Sequence, residues 1–208
     1  MNSFKLNFEI LHIVKFTLIF ILLTIIGTVS HECGHFFVAK RLGFNPTLHH
    51  SNVSFDVEIE NSPAFLVKEL SILLAGPIQT ISTGMIGFVL ILIRRRNNDH
   101  FKLIDWVATF LSLFWLRQCF NLTMSFVNAL ITCEFSFYGD EAKISEMLNL
   151  HSATIGIITG LLGCIICSFV VFSFVPIRFR YNLIIGGIIG SLLGLYVWTG
   201  FLGKFMLP

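Results

Sequence analysis

The chain has 208 residues, 55% of them apolar, and only 12% are Asp, Glu, Lys or Arg, about half the share in a soluble domain. With a mean hydropathy of +0.82 and apolar runs as long as the roughly 20 residues that cross a bilayer, this composition describes an integral, multi-pass membrane protein of one domain; it excludes a soluble enzyme fold, a disordered chain and a collagen-like repeat. A net charge of +2 from 14 basic and 12 acidic residues leaves no basic surface that would hold nucleic acid.

The first apolar run extends from about Phe16 to Ala39, between Lys15 and the Lys40-Arg41 pair that anchor its ends at the interfaces. It is longer than the roughly 7–15 residues of a signal-peptide core and carries His31, Glu32 and His35, so it is a retained span. In the polar stretch that follows, Val53, Phe55, Val57 and Ile59 alternate with Ser54, Asp56, Glu58 and Glu60, and this period of two predicts a strand. The second span covers about Leu66 to Ile93 and is closed by Arg94, Arg95 and Arg96; the third covers about Leu103 to Ile131. A partly polar piece, Thr132 to His151, precedes the fourth span, Ser152 to Val175, which stops at Pro176, and the fifth runs from about Asn182 to Leu202. The expected fold is therefore all-α and polytopic, with about five transmembrane helices and a short strand or hairpin between the first and second.

Gly186, Gly190 and Gly194 in the fifth span, and Gly156 and Gly160 in the fourth, recur at every fourth residue and read as faces for close helix packing. The five cysteines are odd in number, and Cys164-x-x-Cys167 has no second pair, so they read as small hydrophobic residues.

His31-Glu32-Cys33-Gly34-His35 is H-E-x-x-H. In a helix the two histidines share one face about 6 Å apart, a spacing suited to grip one zinc ion. Glu32 is turned about 100° away, beside the ion and not on it, where it can take the proton of an attacking water and pass it to a leaving amine. The pentad arises by chance in roughly one chain of this length in a few hundred. Its position sharpens those odds, because an ionised side chain at the centre of a span costs about 2.5–3.5 kcal/mol and needs a compensating partner, which zinc would supply. The competing reading is a structural polar cluster satisfied by neighbouring helices. Lys40 lies nine residues past His31, which puts the site on the order of 10 Å inside the interface.

A catalytic zinc needs a third protein ligand. The first span ends on the same side as the loop between the third and fourth, which carries Asp140, Glu141, Glu146 and His151, while His49 and His50 lie in the first loop. By oxygen chemistry alone Asp140 and Glu141 are equivalent. Along the third span Arg117, Asn121, Ser125 and Asn128 form one polar stripe that must face the bundle interior or water. It reads either as a hydrogen-bonded seam with Arg117 paired, or as a wet track to the metal.

Together these residues resemble the site-2 proteases, intramembrane zinc metalloproteases with H-E-x-x-H near the carboxyl end of one core span and an aspartate ligand after a later one. The resemblance implies Asp140 as the third ligand beside His31 and His35, one Zn2+ per chain, Glu32 as the catalytic base, and a membrane-protein or peptide substrate cut in or near a transmembrane segment. Family members commonly carry Asn-x-x-Pro-x-x-x-Leu-Asp-Gly around that aspartate. Here the aspartate alone matches, with Thr132 and Phe135 in the places of the Asn and Pro. Ala75-Gly76-Pro77 is similar to the A-G-P of many members, and the strand at 53–60 is similar to the edge strand thought to pair with an unfolded substrate. Asn128, one helical turn from the family's asparagine, is implied as a residue that holds substrate backbone or a developing oxyanion. The implied metalloprotease-like core covers 28–150, and the two further spans, 152–202, carry no motif of the family.

Two other classes compete. A non-catalytic membrane protein of the same fold would bind clients without cutting them; the altered aspartate signature favours it and the intact Glu32 opposes it. A metal transporter or sensor would spread polar ligands through several spans, whereas here they gather at one end.

Overall fold

A computed structural model describes residues 9–55, 62–97, 101–133 and 137–207. Among the described residues five helices are long and apolar enough to cross a membrane: Ile10–Arg41, Pro63–Arg94, Leu103–Thr132, Thr154–Phe174 and Ile177–Met206. The first is helix α1 (Ile10–Arg41). A two-stranded antiparallel hairpin follows, β1 (Pro46–Leu48) with β2 (Val53–Phe55), in the register Pro46 to Phe55, Thr47 to Ser54 and Leu48 to Val53. Ser54 is exposed while Val53 and Phe55 are half-buried, as the alternation predicts; Val57 and Ile59 lie outside the described residues. The ring of Phe55 packs on Phe44 at 5.3 Å between centroids.

Helix α2 (Pro63–Asn97) is the second span. The third is built from α3 (Leu103–Ser112), one 3-10 turn at Leu113–Trp115, and α4 (Leu116–Thr132). The start of this span is tied to α2, because Arg94 Nε donates to Asp105 Oδ1 at 3.1 Å while Asp105 Oδ2 accepts from the Lys102 N–H at 2.7 Å. The polar piece before the fourth span contains a short helix, α5 (Asp140–Met147), packed on α2 and on α6 (Thr154–Phe169). A π turn at Val170–Phe174 completes the fourth span, and α7 (Ile177–Val197), a second π turn at Trp198–Leu202 and α8 (Gly203–Met206) make the fifth.

The fifth span begins five residues earlier than the hydropathy expects. Proline has a fixed φ and no N–H to leave unpaired, so Pro176 starts a helix at once. The arginines that depress the hydropathy there are accommodated locally: Arg180 Nε donates to the Val175 carbonyl at 2.8 Å, and Arg178 lies 4.5 Å over the Phe179 ring.

Lipid tails are as apolar as leucine, so helices in a bilayer associate through close packing and not through the hydrophobic effect. The glycine stripes supply that packing. The most extensive helix contact is α1 with α7, where Gly186, Gly190 and Gly194 sit against the carbonyls of Ile13, Thr17 and Ile21. Gly156 and Gly160 of α6 likewise meet Phe137 and Leu122. An apolar core that includes Phe16, Phe20, Trp115, Val170 and Leu183 fills one end of the bundle, which leaves the carboxyl-terminal half of α1 for polar residues.

A Cβ added to Gly186 would fall 2.7 Å from Phe16 Cβ and 2.8 Å from the Ile13 carbonyl oxygen, whereas one added to Gly200 meets nothing within 4 Å. Gly186→Leu is therefore expected to cost about 1–3 kcal/mol through overpacking, seen as a lower thermal midpoint in detergent, with Gly200→Ala unchanged as the control.

Candidate metal centre

The pentad lies in the carboxyl-terminal half of α1, and because its histidines are one turn apart their rings meet edge to face with centroids 4.9 Å apart. His31, Glu32 and His35 are all buried, His31 to 1% exposure. The third group arrives from more than a hundred residues away. Gly139, at φ +89°, turns the chain through the left-handed region that glycine alone enters at no cost, and Asp140 follows as the first residue of α5. Its Oδ2 lies 2.9 Å from His31 Nε2 and 3.2 Å from His35 Nε2, and the two Nε2 atoms are 3.2 Å apart. These three residues form a group that could hold a metal ion. Of the two carboxylates left open by the sequence, Asp140 reaches the histidines; Glu141 is buried away from them, with Oε1 lacking a hydrogen-bond partner.

The orientation of both rings is set by one face of α2. His35 Nδ1 lies 2.7 Å from the Ile72 carbonyl, which only accepts, so this nitrogen carries the proton. His31 Nδ1 lies 3.0 Å from Thr80 Oγ1, whose own proton is donated to the Gly76 carbonyl at 3.2 Å, so His31 Nδ1 is also the donor. Both Nε2 atoms therefore present lone pairs toward each other and toward Asp140.

Three electron-pair donors at this spacing repel unless a cation lies among them. A triangle with edges of 2.9, 3.2 and 3.2 Å has its centre about 1.8 Å from each corner, so His31, His35 and Asp140 would be able to hold an ion at the roughly 2.0–2.1 Å usual for such donors. The donor set thus fits a metal ion.

Ile72, Gly76 and Thr80 are spaced by four along α2, so they share one stripe. Gly76 is glycine for lack of room: an added Cβ would fall 2.6 Å from His31 Nε2 and closer still to His35 Nε2. Gly34 inside the pentad has the matching role on α1, where a Cβ would fall 2.7 Å from the Ala75 carbonyl oxygen. Pro77 follows at once within the helix; it has no N–H for the carbonyl four residues back, which loosens the ladder in the turn where the Ile72 carbonyl accepts from His35. The signal for Thr80 was present in the sequence as a hydroxyl one turn after Gly76. A backbone carbonyl such as that of Ile72 carries no sequence signal at all.

The remaining candidates fall elsewhere. His50 is structural: its N–H donates to the Leu207 carbonyl at 3.0 Å, and its own carbonyl accepts from Trp198 Nε1 at 2.7 Å. His49 Nε2 pairs with Ser54 Oγ at 2.8 Å across the hairpin. His151 Nδ1 accepts from the Ala153 N–H at 3.2 Å before α6, and Glu146 is exposed. Along the polar stripe Ser125 is buried while Arg117, Asn121 and Asn128 are half-buried. Asn128 lies three turns beyond Arg117, where its carbonyl accepts from the Thr132 hydroxyl. Glu32 is buried within the fields of His35, Asp140 and Arg117.

Thr80→Val keeps the volume and removes the acceptor for His31 Nδ1, so it is expected to weaken metal binding by about 10–100-fold. Gly76→Ala is expected to abolish metal binding, and metal titration of purified protein checks both. Comparison with known proteins finds no matching family model, no matching curated protein and no matching solved structure.

Proposed function

We propose that this chain is an intramembrane zinc metalloprotease that hydrolyses peptide bonds in or near transmembrane segments of other membrane proteins. The observation that carries the reading is the meeting of two imidazole nitrogens and one aspartate carboxylate oxygen, with the buried Glu32 next to His31. Two histidines and one carboxylate, with one position left open, suit a catalytic zinc. The same set serves Fe(II) oxygenases, but a buried carboxylate beside the ion is what hydrolysis needs and oxygenation does not.

In this reading His31, His35 and Asp140 hold the zinc, which supplies a Lewis acid for the scissile carbonyl and lowers the pKa of a water toward 7. Glu32 takes the proton of the attacking water and delivers it to the leaving nitrogen as the C–N bond breaks, which leaves one carboxylate and one amine. A helical substrate hides its carbonyls in its own hydrogen bonds, so the segment must be extended before it is cut. The β1–β2 hairpin offers sheet edges for such a segment among the described residues, and Asn128, half-buried on the polar stripe, is assigned to hold its backbone.

Purified protein is expected to contain about one zinc per chain and to cleave single-span reporter proteins reconstituted with it in liposomes. Zinc and cleavage should both be lost in His31→Ala and Asp140→Ala, whereas Glu32→Gln should keep zinc and lose at least a hundredfold in rate. Zinc retained in Asp140→Ala but lost in Glu141→Ala would overturn the ligand assignment. Zinc without cleavage in the unaltered protein would favour the client-binding reading instead.

A further inference from the structure

A second polar cluster adjoins the metal centre, and the mechanism above does not use it. Arg117 Nε, Gln118 Nε2 and Glu141 Oε1 are buried and lack hydrogen-bond partners. Gln118 Nε2 is a donor and Glu141 Oε1 an acceptor, so these two are chemically suited to each other; Arg117 is the member left over. Its height in the bundle follows from packing. The first and third spans run in the same direction, and a Cβ on Gly27 would lie 3.9 Å from the Phe114 ring. One turn further along each helix come His31-Glu32 and Arg117-Gln118, so Arg117 is level with the donors, deep in its span. Its charge acts on His31, Glu32 and Glu141, and the ion pairs of the described residues do not include it.

A guanidinium stays protonated, has only donors, and is costly in hydrocarbon without an anion. Glu32 and Asp140 are committed to proton transfer and to the metal. Hydrolysis, however, generates a new anion at this level: negative charge builds on the substrate carbonyl oxygen and ends on the product carboxylate. A planar fork of N–H donors matches a carboxylate in shape and charge.

We propose that Arg117 binds the carboxylate end of the cleaved peptide, and the same oxygen as it gains charge during attack. This rests on the hydrolytic reading above and extends it to a residue outside the ligand set and outside the H-E-x-x-H pentad. Its specificity consequence is that a product ending in a free carboxylate is held more tightly than the corresponding amide.

The test uses full-length protein in detergent, loaded with Co2+ and titrated with acetate, the carboxylate fragment of a peptide terminus, against acetamide; the visible cobalt spectrum reports binding. Wild type is expected to bind acetate in preference to acetamide. Acetate should bind at least tenfold more weakly to Arg117→Ala and to the longer, neutral Arg117→Gln, and to an intermediate extent to Arg117→Lys, with cobalt content and thermal midpoint unchanged in each. Equal acetate affinity in wild type and the neutral variants overturns the proposal, as does a cobalt-loaded wild type that does not respond to acetate. Loss of cobalt or of stability in both neutral variants also overturns it and makes Arg117 a structural counter-charge to Glu141. A wild type that takes up no cobalt is a separate result, which sinks the metal reading itself.

Discussion

Electrostatic repulsion among three electron-pair donors is the constraint around which the rest of the molecule is arranged. Two imidazole nitrogens and a carboxylate oxygen within 3.2 Å of one another must each be held from behind, in a group that could hold a metal ion. The holding is done by α2. The Ile72 carbonyl and the Thr80 hydroxyl accept from the far nitrogen of each ring, which fixes both tautomers and both ring planes. Because these acceptors lie two turns apart on one stripe, with Gly76 midway, a single helix face determines the whole nitrogen side of the site. That face can come close enough only because Gly34 and Gly76 have no Cβ at the crossing.

The same logic extends outward. In a bilayer, helices gain little from burying apolar surface against one another, so precise placement depends on backbones packed nearly in contact. The α1–α7 glycine stripe fixes the amino-terminal half of α1 through Ile13, Thr17 and Ile21, and the α2 crossing fixes the carboxyl-terminal half. Between these two clamps α1 has little freedom to rotate, and a helix turned by even one residue would swing the histidines about 100° away from Asp140.

Charge is the other quantity the fold manages. Glu32, Asp140, Glu141 and Arg117 all lie at one level of an otherwise apolar bundle, where a low dielectric strengthens every interaction between them. The aspartate belongs to a short helix outside the spans, so it reaches the site without being inserted as part of an apolar helix. Arg117 balances part of the negative charge on Glu32 and Glu141. The apolar core around Phe16 and Phe20 lies at the other end of α1, which separates the region that fixes the bundle from the region where chemistry is proposed.

Amino-acid order alone determined the features governed by short range. Five spans followed from hydropathy and length, the facing pair His31 and His35 from the 3.6-residue helical period, the hairpin strand at Val53 and Phe55 from alternation, and the packing glycines from their spacing of four. Even there, the start of the fifth span needed the local chemistry of Pro176, which outweighs two arginines. Tertiary structure alone decided between Asp140 and Glu141. Neighbours on α5 point about 100° apart, and which of them faces the histidines depends on how that helix docks on α2 and α6. It alone supplied the Ile72 carbonyl and the Thr80 hydroxyl as the groups behind the rings, and it alone put Arg117 level with Glu32. A ligand set that closes across more than a hundred residues is specified by packing between helices, and that information is spread over many weak contacts instead of being written at the residues that meet.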